Sequence, residues 1–533
     1  MSAVAKPTAN LKRERSNAVR ALIAQHGFAQ QKLRLHTDNV GTVVDPPNYC
    51  NRIVVLLDAL GCVFAEFGRY LAHRPDLSHS DLTKSLQTVT NSGQNTLGSL
   101  DEILGTIAVT ELRSHFSAID ETPFDIRRFS QRYLGNMLDG QSVEIKVVRQ
   151  LSAEESADLE LLEHVQSVFQ PVMLHASCFR HAVSEFRQLF AHALDCRRLA
   201  ESLETLRYDA SEIPSLCIPT VEHTLTTSQT IVMESVSGIR ISRNSTEFRR
   251  RSGNRNSTGL GQQICELWLQ LASDGSLVPV NMSPDNIIHC TDGTIAIVDG
   301  NFTILPSKAR ESLQVYLSAV ASDDAREAAE SLLREFTHEN RSVTHDQLLR
   351  ILRQQVEPSK SANEHQSYLL QKMVCQWQLV VQHGCLPLRH FAAMIQALQN
   401  LQGCADNAPN DPAIFLKAIK EQRSSQMVQE MAAIFDPQRF MSDADKVSEF
   451  FISAPTKFNT ALDSAFDVSP HRSSNQVHRQ KQHSKSPVLL LAIAATLWAL
   501  SGQYFRPLGS QLQMTDTSQF LCLCILALIV KQL

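Results

Sequence analysis

The chain carries little net charge for its length, −5 over 533 residues. Electrostatic capture of nucleic acid by the whole molecule is therefore not expected. The basic run Arg249-Arg250-Arg251 has no aromatic residue close on its carboxyl side, and a nucleic-acid partner is not expected there either. Twelve cysteines are scattered without a C-x-x-C pair, which removes the usual zinc spacing and fits reduced thiols of a cytosolic domain. His338, His345 and His365 lie far apart in polar stretches, without the i, i+4 spacing a histidine metal site uses. No G-x-S-x-G occurs, so the nucleophile elbow of a serine hydrolase is missing. Met1 to Gln31 contains Lys12, Arg13 and Arg15 but no apolar run like a signal-peptide core, and secretion is not expected. No fixed-period repeat is visible.

What the chain does have is apolar content, 43% hydrophobic against 20% charged residues, enough for a large core plus accessory segments. Ile53 to Phe67, Leu159 to Phe169 and Ile264 to Leu271 place apolar residues at helical spacing, which predicts core-facing helices. Val143-x-Ile145-x-Val147, Thr230 to Met233, Ile287-Ile288 and Ile295 to Val298 predict strands, the last two joined by the turn Thr291-Asp292-Gly293. Arg249 to Thr258 and Asp406 to Asp411 are rich in Asn, Gly, Pro and Arg and read as surface loops. The last fifty residues differ: Val488 to Phe505 and Phe520 to Val530 are uncharged and apolar nearly all round, after a basic stretch from His471 to Lys485. About 20 such residues span a bilayer, and positive charge keeps its side cytoplasmic. This predicts a C-terminal hairpin anchoring a body on the cytoplasmic side.

Protein-kinase landmarks occur in order. Val143-Glu144-Ile145-Lys146 matches the strand that presents a phosphate-binding lysine, Asn281 to Asn286 matches a catalytic loop, and Asp299-Gly300-Asn301 matches a metal-binding turn. Asn286 and Asp299 are the side-chain types that hold Mg²⁺ in kinases. Asn281 stands where the catalytic base belongs, and an amide cannot accept a proton as a carboxylate does.

Further motifs add a family likeness. Leu60-Gly61-x-x-Phe64-x-Glu66-Phe67-Gly68-Arg69, Leu71, Arg74-x-Asp76-Leu77, Pro123-Phe124 through Gln131, Asp139-Gly140, Asp158-Leu159, Val232-Met233-Glu234 with Gly238, and Pro284-x-Asn286-Ile287 together resemble the UbiB family of atypical kinase-like proteins over roughly residues 50 to 530. The resemblance implies a kinase-like fold, ATP and Mg²⁺ as cofactors, and support of ubiquinone or another isoprenoid-quinone biosynthesis at a membrane. Membrane lipid or a quinone intermediate, and other quinone-biosynthesis proteins, would be the partners. It also implies nucleotide contacts at Lys146, Gln131 and Glu234 and metal contacts at Asn286 and Asp299, while Arg127 and Arg128, at the place of the phosphate loop, are further candidates for phosphate by their own chemistry.

The departures fall at the chemistry. The family's KxGQ lysine and glutamine are Glu66 and Arg69, and its small-residue phosphate loop is Asp125-Ile126-Arg127-Arg128-Phe129. Small residues let backbone N–H groups approach phosphate; these residues fill that space unless the arginines themselves bind phosphate. The family's acidic cluster maps to Ala193, Asp195 and Leu199, which leaves Lys146 without its expected carboxylate. Asn301, in place of a glycine, can take a left-handed turn conformation almost as glycine does, which makes that change mild.

The reading is an α+β, protein-kinase-like two-lobed fold, predominantly helical. A polar segment (1–49) precedes a family-specific helical extension (50–122), an N-lobe with inserted helices (123–238), a C-lobe core (239–345), a helical C-terminal segment (346–470), a basic linker (471–486) and a membrane hairpin (487–533). Function divides three ways: an accessory pseudokinase of quinone biosynthesis, an ATPase or small-molecule kinase with a rebuilt ATP–Mg²⁺ site, or a non-catalytic scaffold.

Overall fold

The computed structural model describes residues 8–28, 45–89, 98–211, 213–241, 253–337, 344–355 and 368–404. The chain divides into two compact units, Met1–Phe435 and Asp436–Leu533, and every described residue belongs to the first. The expected linker, the membrane hairpin and the loop at 406–411 lie outside the described residues. Among those described, no helix is long and apolar enough to cross a membrane.

A five-stranded antiparallel sheet forms the upper layer. Its strands are β1 (Phe116–Ile119), β2 (Asp125–Ile126), β3 (Ser130–Met137), β4 (Ser142–Val148) and, after the inserted helices and the short β5 (Leu216–Cys217), β6 (Thr230–Glu234). The order is β1-β3-β4-β6, with β2 also on β3. Successive side chains alternate between faces, and β4 shows what this does. Val143, Ile145 and Val147 are buried in an outer core with Phe116, Tyr133, Val232 and the helix residues Leu100, Val109 and Leu112. Glu144 and Lys146 consequently face the other way, toward the lower lobe. The register sets Asp125 beside Arg132 and Arg132 beside Lys146, so three charged side chains form one row on that face.

Below it, β7 (Gly238–Arg240), β8 (Val278–Pro279), β9 (Ile287–Cys290), β10 (Ile295–Ile297) and β11 (Phe302–Thr303) make a four-stranded sheet, β5-β10-β9-β7, and a two-stranded one, β11-β8. The β9–β10 hairpin turns at Gly293, φ +89°, as the Thr-Asp-Gly sequence predicts. It delivers Asp299 two residues beyond β10, next to the loop that ends at Asn286.

One local expectation needs correction and two gain detail. The segment 1–49 is more than a polar lead: Thr8 caps a 17-residue helix, Ala9–Gln25, that buries Val19 and Ile23. Arg15 on it pairs with Asp158 at 2.6 Å. The stretch read as a loop at 249–258 is helical from Gly253 onward, because the buried stripe of Leu260, Ile264, Leu267 and Leu271 extends a 22-residue helix, Gly253–Asp274, back into it. And the apolar spacing from Ile53 to Phe67 belongs to two helices, Pro46–Leu60 and Cys62–Ala72, divided at Gly61 with φ +109°.

The extension is bolted on by buried charge. The Arg74 guanidinium is 1% exposed and donates to both Asp76 oxygens at 2.9 and 2.8 Å. It also meets Glu185 on the helix Cys178–Ala193, to which Tyr70 Oη donates at 2.8 Å. Phe67, Phe169, Phe179 and Phe186 pack edge-on around this pair, with ring centroids 5.3 to 6.0 Å from Phe67.

Candidate functional site

Asp299 sits at the meeting of the two sheets, and cations of the upper sheet hold both its oxygens. Lys146 Nζ donates to Oδ1 and Oδ2 at 2.8 Å each, and Arg132 Nη2 donates to Oδ2. Gly300 N donates to Oδ1 at 2.8 Å. Burial opposes the charged carboxylate, but Lys146, Arg132 and Arg127 outweigh it and hold Asp299 well below the usual carboxylate range. Lys146 is thus not left without a carboxylate: Asp299 supplies it in place of the missing acidic cluster.

Arg132 is fully buried, with 0% exposure. Besides Asp299 it pairs with Glu144, and its Nε lies 3.3 Å from Asp125. Burial works against its charge, yet Asp299, Glu144 and Asp125 raise its pKa further. Glu144 is shared in turn with Arg240 of β7 at 2.9 Å. Arg240 is lowered by burial and then by the nearness of Arg132, the sign of a crowded cationic cluster.

Arg127 closes the ring. Phe129 is buried beneath Phe190, with ring centroids 5.2 Å apart, and Arg127 N donates to Ser130 O at 2.8 Å, so the β2–β3 connection is a tight turn. From it the Arg127 side chain reaches the catalytic-loop position: Nη1 donates to Asn286 Oδ1 at 2.9 Å and Nη2 to Asp285 O at 3.2 Å. Its Nη1 lies 4.0 Å from Asp299 Oδ2. Arg240 Nη1 donates to the same Asp285 carbonyl at 2.9 Å. Arg128 points elsewhere, toward Cys62 O at 3.2 Å and Glu66 at 3.6 Å.

Lys146, Arg127, Arg128, Asn281, Asn286 and Asp299 line one cavity of about 320 Å³, bounded also by Glu66, Arg69 and the residues around Asp195. Asp195 caps the helix Cys196–Ala210 through Arg197 N at 3.1 Å. Gln131 and Glu234 are not among its walls. Gln131 faces the outer core side, accepting from Tyr133 Oη at 2.5 Å, and Glu234 accepts from Thr220 Oγ1 at 2.9 Å at the end of β6. In the turn after β10 the positive φ belongs to Gly300, +146°, and not to Asn301. A Cβ at Gly300 would also meet Asn281 O at 3.1 Å, so both the backbone conformation and the close approach of the catalytic-loop backbone favour glycine there. Asn301 O accepts from Val280 N at 2.8 Å, as one link of β8–β11.

Arg132, Glu144 and Arg240 are the site residues that sequence reading passed over. One signal was present: a kinase strand reads V-A-I-K, and the chain has glutamate where the small alanine belongs. Arg132 has the face parity of Asp125 and Lys146, but that emerges only from the cross-strand register.

A divalent ion fits this arrangement poorly. Mg²⁺ demands near-octahedral oxygen ligands at about 2.0–2.1 Å. The side-chain oxygens that would supply them, Asn286 Oδ1 and both oxygens of Asp299, already accept hydrogen bonds from protein cations. Among the described residues no group of three or more His, Cys, Asp or Glu side chains is placed to hold a metal ion.

Residues 95–332 match the ABC1 atypical kinase-like domain. A protein named probable protein kinase UbiB from Shewanella woodyi is 26% identical over 216 residues, 39% of this chain and 37% of that one. Another of that name from Marinobacter nauticus is 24% identical over 334 residues, 61% of this chain and 57% of that one. The chain therefore spans well under two thirds of these relatives' length. Among solved structures, Rv3197 of Mycobacterium tuberculosis, in complex with erythromycin, is 18% identical with a TM-score of 0.39, over 76% of this chain and 95% of that one. The kinase-like assignment rests on the domain match and the strand order.

Proposed function

Because residues 95–332 form an ABC1 atypical kinase-like domain and the chain is a divergent relative of the UbiB proteins, we propose that it is a pseudokinase of that kind. In this reading it is an accessory or regulatory factor in isoprenoid-quinone biosynthesis that has lost phosphoryl transfer. The carrying observation is Asp299, held by Lys146 and Arg132. Phosphoryl transfer asks for positioned phosphates, metal ions on the Asp and Asn oxygens, and a base or water-positioning group. Here the oxygens are committed to the protein's own cations, and Asn281 offers no proton acceptor. The apolar runs 488–505 and 520–530 would keep this body at a bilayer surface, where quinone intermediates and lipid-bound partner enzymes are found.

An ATPase or small-molecule kinase is the second reading. It is favoured by one fact, that Lys146, Asn286 and Asp299 share a cavity, and it requires ATP and Mg²⁺ to open the charge cluster.

The test combines two measurements. In cells lacking the chain, the isoprenoid-quinone pool falls, and an Asn281→Ala variant restores it as well as the natural sequence does. The purified chain releases no phosphate from ATP–Mg²⁺. A quinone pool unaffected by the loss, or phosphate release abolished by Asp299→Ala, overturns the proposal.

A further inference from the structure

The side chains that disfavour a metal ion also determine what the cleft accepts. In kinases two divalent ions sit on the Asp and Asn oxygens and neutralise phosphate. In this chain guanidinium groups stand at both: Arg132 Nη2 on Asp299 Oδ2, and Arg127 Nη1 on Asn286 Oδ1 at 2.9 Å. The two have different anchors. Arg132 is buried in β3, whereas the Arg127 side chain is 31% exposed and opens on the cavity. Around them Arg127, Arg132, Lys146 and Arg240 face the carboxylates of Asp125, Glu144 and Asp299. Four cations against three carboxylates leave one positive charge in excess, with no ion added. A divalent cation would enter against that excess; a phosphate would enter with it.

We infer that Arg127 and Arg132 replace the metal ions of the site, so that the cavity takes a phosphate-bearing ligand without any divalent cation. Arg127 supplies the direct contact through the two guanidinium hydrogens left once Asp125 Oδ2, Asn286 Oδ1 and Asp285 O have each taken one, and Arg132 keeps Asp299 neutralised behind it. No bond is made or broken. The inference rests on the preceding reading that the cleft does not catalyse phosphoryl transfer. The shared chemistry is a mono- or diphosphate, which could be a free metabolite or the headgroup of a lipid.

The experiment uses the full chain in detergent micelles and follows thermal unfolding, since a ligand of the folded state raises the midpoint by mass action. Inorganic pyrophosphate and a short-chain phosphatidic acid are titrated separately, each in EDTA and in excess Mg²⁺. At least one raises the midpoint in EDTA, with no further gain from Mg²⁺, and Arg127→Ala weakens the apparent affinity by roughly tenfold, the loss of one charge-assisted contact. Pyrophosphate alone identifies a free phosphate, phosphatidic acid alone a lipid headgroup, and either supports the inference. A shift that requires Mg²⁺, no shift from either probe, or a shift undiminished in Arg127→Ala overturns it. Phosphate release from ATP, followed in the same samples, separates the two claims: turnover refutes the pseudokinase reading, whereas a Mg²⁺-dependent shift without turnover refutes only the metal-free one.

Discussion

Arg132 joins carboxylates from two lobes through a single guanidinium, and the cost of removing it follows from what it would leave behind. Breaking a buried ion pair on one side strands the other charge and costs about 3–5 kcal/mol, while removing both partners can be close to neutral. Arg132→Val leaves Glu144 with Arg240, and Asp299 with Lys146 and the more distant Arg127. It should therefore destabilise by an amount in that range. The double variant Arg132→Val/Glu144→Ala should recover part of the loss, because one stranded carboxylate is gone. Urea unfolding of the single and double variants checks this; strict additivity of the two single effects would show that Arg132 and Glu144 are not coupled. Glu144 also marks the limit of what this site shows in sequence. Its charge inside a V-x-I-K strand was on view, but its partners lie 12 and 96 positions away at Arg132 and Arg240, and no local pattern pairs them.

At the scale of elements, alternation carried most of the information. Val143, Ile145 and Val147 gave β4 its buried outer face, and the apolar–turn–apolar run from Ile287 to Val298 gave the hairpin that presents Asp299. Where local composition and long-range packing disagreed, packing prevailed. The Gly- and Asn-rich start of the helix Gly253–Asp274 reads as loop by composition, yet it is helical ahead of the buried stripe that includes Ile264 and Trp268. The turn after β10 shows the same effect. Asn301 is able to take a left-handed conformation, but the positive φ falls at Gly300, beside the Asn281 carbonyl. Gly300→Ala should then cost about 1–3 kcal/mol, the usual penalty for forcing a side chain into such a backbone region, whereas Asn301→Ala should cost clearly less. Thermal or urea unfolding of both variants decides it, and equal effects would place the strain elsewhere.

For the whole molecule, the legible part was the kinase-like order of strands and loops and the extension whose Arg74-x-Asp76 motif proves to be a buried clasp on Glu185. What was not legible is that the protein's own cations neutralise Asp299. Each substitution, read alone, looked like a loss: an amide for the base, arginines for small residues, a missing carboxylate beside Lys146. Assembled, Arg127, Arg132 and Lys146 of the upper lobe occupy the oxygens of Asn286 and Asp299 in the lower. The central claim is therefore about metal, and the most direct measurement is the electron paramagnetic resonance signal of free Mn²⁺ titrated into the full chain in detergent, beside Asp299→Ala. The account predicts that the signal keeps the amplitude it has in buffer for both proteins. A stoichiometric loss of signal in the natural sequence, restored by Asp299→Ala, would show a working metal site and contradict it.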